Sequence, residues 1–122
     1  MFLSKTNNND NVPFNDLKTE LKALGFDTLR SEREDYLELV VTRDKIGALN
    51  IKLESILGPA IWPTQRRLDA IIEEKLKNFG GIMAGQALYY KKQEEEILFV
   101  MLWPWKDGQH TTIKAIEGFL PP

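Results

Sequence analysis

His110 is the only histidine in the chain, and imidazole is the side chain best suited to move protons near neutral pH. Asp107 lies three residues before it, and Thr111 and Thr112 follow. A catalytic histidine needs an orienting partner and a reacting atom within reach. The local run Lys106-Asp-Gly-Gln-His110 reads more simply as a polar turn. A lone histidine also rules out a histidine-rich metal site. Glu117 and the tyrosines are the other candidates for acid–base work, so the catalytic alternative is a small enzyme or small-molecule binder with a cleft near His110.

Carboxylates come in groups, Glu32-Arg33-Glu34-Asp35, Glu73-Glu74 and Glu94-Glu95-Glu96. Glycosidases set two carboxylates across a cleft, and calcium loops space them at alternate positions. Consecutive glutamates in a turn do neither; they are expected to be solvated and to oppose edge-to-edge aggregation. Gly80-Gly81 with Gly85 precedes a strand, whereas a dinucleotide fingerprint opens a helix after a strand. There is no P-loop and no Gly-x-Ser-x-Gly elbow. The chain has no cysteine, which removes thiol nucleophiles and thiolate metal sites and fits a reducing compartment. No catalytic residue, metal or cofactor is therefore expected.

The aromatic residues carry the remaining signal. Trp62 and Trp105 each lie beside a proline, and Trp103 ends the apolar run Ile-Leu-Phe-Val-Met-Leu-Trp that begins at Ile97. Tyr89 and Tyr90 are adjacent, so in a strand one ring faces each side of the sheet. A strand apolar on both faces is either covered on both sides or meets a partner. Trp62, Tyr89, Tyr90, Phe99, Met101, Trp103 and Trp105 are thus the candidate partner-binding residues. Arg66 and Arg67 oppose the dipole at the start of a helix. They are candidate contacts to an anion or a partner, or they pair with Asp69 or Glu73.

These side chains need elements to hold them. The 122 residues suit one domain, read as residues 13–122 after a frayed polar tail at 1–12. Leu17, Leu21 and Leu24 give an apolar stripe on a first helix, about Asn15 to Leu24, capped by Asn15 or Asp16 and ended by Gly25. Phe26 to Arg30 reads as a short edge strand, and Tyr36 to Arg43 as a strand. Leu49, Ile51 and Leu53 alternate with Asn50, Lys52 and Glu54, which predicts a third, half-buried strand. A second helix is expected at about Gln65 to Phe79, capped by Thr64, with Leu68, Ile71, Ile72, Leu76 and Phe79 on its buried face. Ile82–Lys92 and Ile97–Trp103 form a hairpin through Gln93–Glu96. Thr111 to Leu120 fits a short last helix on Ile113, Ile116 and Leu120, with a strand as the alternative. The order is α-β-β-β-α-β-β-α, an α+β fold with one antiparallel sheet and helices packed on it.

The stretch from Leu68 through Gly80-Gly81 to Leu88, together with Leu17, Leu21 and Leu24-Gly25-Phe26, resembles the type III secretion chaperones and the related YbjN-like bacterial proteins. Members are small cytosolic α+β proteins, usually dimers, without catalytic residues. The resemblance implies an apolar sheet surface that binds a client, and a homodimer.

Net charge is −2, from sixteen basic and eighteen acidic residues, so no cationic field favours nucleic acid. Met1 to Val12 lacks the apolar run of a secretory signal, and the nine-residue apolar stretch from Ile97 to Trp105 is too short to cross a membrane. The expectation is a cytoplasmic, non-catalytic module that binds another protein; an inhibitor or immunity-type subunit of a larger complex is a further alternative.

Overall fold

The computed structural model describes residues 11–60, 70–81 and 85–119. Their elements are α1 (Phe14–Ala23), β1 (Thr28–Arg33), β2 (Tyr36–Thr42), a 3-10 turn (Arg43–Lys45), α2 (Ile46–Leu57), α3 (Ala70–Lys77), β3 (Ala87–Gln93), β4 (Glu96–Pro104) and β5 (His110–Phe119). Five strands form one antiparallel sheet in the order β1-β2-β5-β4-β3. The α+β class and the single antiparallel sheet are as the sequence predicts.

Two elements differ from expectation. Leu49–Glu54 lies inside the helix α2, not in a third strand. Leu49, Leu53 and Leu57 are buried at helical spacing, and Ile51, whose alternation suggested a strand, is 74% exposed. Thr111–Phe119 is strand β5, not a helix. It is flanked by β2 and β4 and joins the two halves of the sheet. Its β-branched Thr111, Thr112, Ile113 and Ile116 suit that place.

Helices cover both sheet faces. On one face Leu37, Leu39, Val41, Leu98, Val100, Leu102, Ile113 and Ala115 meet Phe14, Leu17 and Leu21 of α1 and Leu49, Leu53 and Leu57 of α2. On the other, Tyr36, Leu88, Ile97, Phe99, Met101 and Ile116 meet Ile72 and Leu76 of α3. This is why β4 is apolar on both sides: its alternate residues serve two cores.

The loops follow from local chemistry. α1 begins one residue after Pro13, whose carbonyl accepts the Asp16 and Leu17 amides; no side chain caps it. Gly80 and Gly81 take positive φ after α3, and the Gly81 amide returns to the Leu76 carbonyl at 2.8 Å. Of the expected tail, Asn11 and Val12 are held: Gln93 clamps the Val12 backbone by two hydrogen bonds of 2.7 and 2.8 Å. Trp62, Thr64, Arg66, Arg67 and Leu68 lie outside the described residues, as do 82–84 and Leu120.

Candidate functional site

Beyond α3, the same sheet face continues toward the end of β5 that carries His110. Cross-strand registers place Glu38 opposite Lys114 and Lys114 opposite Met101, then Val40 opposite Thr112 and Thr112 opposite Trp103. The last pair toward that end is Thr42 opposite His110. A bulge between Leu29 and Ser31 in β1 adds Arg30 as an extra residue. Bulges re-aim side chains, and here Arg30 points over this face, 3.7 Å from Glu38 and with its guanidinium 5.9 Å from the Trp105 ring.

The tryptophans sit differently. Trp103 is half-buried, with the Lys114 ammonium 3.6 Å from its ring centroid and Gly80 against its edge. Lys114 also donates to the Phe79 carbonyl at 3.3 Å. The Trp103 indole N–H is buried and has no hydrogen-bond partner among the described residues. Trp105 is 38% exposed. Its indole N–H donates to the Thr112 hydroxyl at 2.8 Å, and its ring lies 4.8 Å from that of His110.

His110 does have an orienting carboxylate. Its Nδ1 lies 2.7 Å from Asp107, which also accepts the amides of Gln109 and His110. The Gln109 amide, then the His110 side chain, hold the Asp107 carboxyl below its usual range. This is an Asx-type turn completed by its own histidine. Beside it lies an open depression bounded by Thr42, Arg43, Asp44, Gln109 and His110, where the Thr42 hydroxyl is already hydrogen-bonded to Asp44. The other proposed acid–base residue, Glu117, lies seven positions further along β5 and on the opposite face. At about 3.4 Å per residue that is roughly 24 Å away. The two do not form one site. Among the described residues, no group of three metal-ligating side chains is placed to hold an ion.

The other candidate residues divide by burial. Phe99 and Met101 lie inside the core under α3, and Tyr89 inside the core under α1 and α2. The Tyr89 hydroxyl donates to Asn50 at 3.1 Å, and burial raises its pKa. These three are core, which corrects their placing on a contact surface: each helix they meet takes the area a partner was expected to take. Tyr90 is half-buried and stacks on Phe99. Of the described candidates, Trp105 is exposed, and Tyr90 and Trp103 are half-buried.

The edge strand expected at Phe26–Arg30 corresponds to β1 (Thr28–Arg33), which lies at one edge of the sheet. Among the described residues β1 pairs only with β2, and its outer side has no strand partner. Beside it Leu29 is 44% and Phe26 41% exposed, although both are large and apolar. Arg33 stands 4.9 Å over the Tyr36 ring. Burial, with a hydrogen bond to Glu38, pushes the Tyr36 phenol well above its ordinary value, so it stays a donor. The bulge that aims Arg30 has no sequence signature.

No family model, curated protein or solved structure matches this chain. No helix among the described residues is long and apolar enough to cross a membrane.

Proposed function

We propose that this chain is a non-catalytic binding module that takes an extended segment of a partner protein along β1. The observation that supports it best is the β1 edge, unpaired among the described residues and flanked by Phe26 and Leu29, with Trp105 reached through Arg30. Unpaired strand edges template the addition of a further strand, and alternate side chains then give specificity. Leu29 follows the face of Leu39, while Arg30 and Arg33 lie over Glu38 and Tyr36 on the other face. The matching segment is apolar on one side and acidic on the other.

The resemblance to secretion chaperones and YbjN-like proteins rests on an element order that α2 and β5 change. The proposal keeps its protein-binding class and not the secretion role. A homodimer through β1 is the form the proposal takes if the added strand comes from a second copy.

The test is selection of random extended peptides on the full chain, followed by calorimetric titration of wild type and variants. Selected peptides should alternate apolar and acidic residues. Leu29→Lys and Trp105→Ala should each weaken them at least tenfold with only a small loss of thermal stability. Peptides that bind both variants as tightly as wild type would overturn the proposal. Light scattering identifies the second copy as occupant if the mass is near twice 14.1 kDa and Leu29→Lys halves it.

A further inference from the structure

The turn between β4 and β5 fixes how His110 can bond. Asp107 accepts the amides of Gln109 and His110, and its second oxygen lies 2.7 Å from His110 Nδ1. An ionised carboxylate only accepts hydrogen bonds, so Nδ1 carries a proton. In the neutral imidazole that leaves Nε2 as an acceptor. Nε2 has no hydrogen-bond partner among the described residues. The ring is held against Trp105, with centroids 4.8 Å apart.

The depression beside His110 carries two opposite charges, on Arg43 and Asp44. Asp44 accepts the Thr42 hydroxyl, and that bond holds its carboxyl below the usual range, so it is a second ionised acceptor. The Arg43 main-chain N–H is used, donating to the Gln109 carbonyl at 2.8 Å. Its guanidinium makes no ion pair among the described residues. The neighbouring cations are placed elsewhere: Lys45 lies against Gly25, and Arg30 is held between Glu38 and Trp105.

We infer that this depression binds a small zwitterion, an α-amino acid whose carboxylate is held by Arg43 and whose ammonium is shared by Asp44 and His110 Nε2. A guanidinium matches a carboxylate through paired N–H donors. An ammonium has three N–H donors and no acceptor, which suits the two acceptors. A simple anion would meet the Asp44 carboxylate, and a simple cation the Arg43 guanidinium. Only a ligand with both charges on neighbouring carbons uses all three groups. Asp107 and Thr42 are positioning residues: they set His110 and Asp44 as acceptors before the ligand arrives. The site uses no residue of β1, so it stands or falls apart from the partner segment proposed there.

The test is a proton NMR titration of the full chain at pH 8, above the ordinary imidazole range. It reads the imidazole signals of His110, which need no assignment because the chain has one histidine. Glycine and alanine should shift these signals saturably. Acetate, methylammonium and glycinamide, which lack one of the two charges, should need at least tenfold higher concentrations at equal ionic strength. Arg43→Gln and Asp44→Asn should each weaken glycine at least tenfold while leaving the His110 signals of the free protein near their wild-type positions. No shift with glycine and alanine, or acetate or methylammonium binding as tightly as glycine, would overturn the inference. Glycine affinity unchanged in both variants would overturn it as well. The comparison among ligands uses the wild-type chain alone, so it holds even where a variant fails to fold.

Discussion

Gly80 and Trp103 touch so closely that a Cβ on Gly80 would lie 2.5 Å from the Trp103 Cη2 atom. Gly80 also has φ +99°, a conformation that side chains with a Cβ rarely adopt. One glycine therefore ends α3, turns the chain and leaves room for the indole on which Lys114 rests.

Gly80→Ala should cost about 1–3 kcal/mol from overpacking, with positive-φ strain added. It should also change the Trp103 emission spectrum. Urea unfolding with fluorescence detection reads both. Gly81→Ala is the control, because φ is +72° there too but nothing lies within 4 Å of the added carbon. It should cost less and leave the indole environment unchanged.

Leu53 and Ile51 separate helix from strand by stability alone. In α2, Leu53 is fully buried and Ile51 is exposed. Leu53→Ala should cost about 2–5 kcal/mol, while Ile51→Ala should stay within about 0.5 kcal/mol. Equal losses at the two positions would fit a strand and contradict α2. Thermal and urea midpoints check this.

Phe99 and Leu76 should behave as core. Truncating Phe99 to alanine should cost about 3–5 kcal/mol and Leu76 about 2–5 kcal/mol, since each is about 1% exposed in the core between α3 and the sheet. The two side chains share that core, so the double mutant should lose less than the sum. Trp105→Ala, at an exposed site, should be much milder, losing chiefly one hydrogen bond to Thr112.

The dependence of stability on pH carries a contribution of unusual sign from Glu117. Its carboxyl titrates near 4.5 when unfolded and at about 7 when folded. The folded state therefore binds more protons between those values. Its contribution to stability is greatest below about 4.5, falls as pH rises through that window, and is gone above about 7. Glu32 and Asp107, whose carboxyls are lowered, act the opposite way: they contribute above the unfolded carboxylate range and lose that contribution in acid. Glu117→Gln should flatten the fall between pH 5 and 8 while leaving the acid limb in place. Chemical denaturation across that range measures it.

How much of this was legible in the residues varies by element. α1 was legible because Leu17 and Leu21 repeat at helical spacing and Gly25 follows. The β3–β4 hairpin was legible because two β-rich runs flank Glu94-Glu95. α2 was not, because Ile46, Leu49, Leu53 and Leu57 fit a helix while Ile51 completes an alternation that fits a strand. β5 was not, because Ile113 and Ile116 are three apart and occur at that spacing in either structure. The candidate site was the least legible part: Phe99, Met101 and Tyr89 have the composition of an interface and the position of a core.

The sequence by itself determined the α+β class, the single sheet, the turns and the absence of a recognisable catalytic motif, because these follow from periodicity and residue type within short windows. Only the tertiary structure decided that β5 is a strand joining β2 to β4, that α3 covers the second apolar face of β4, and that Arg30 reaches Trp105 while His110 and Glu117 stand far apart. Each of those depends on which distant segment occupies a neighbouring place. Local spacing fixes which side of an element is apolar, but not what comes to cover it.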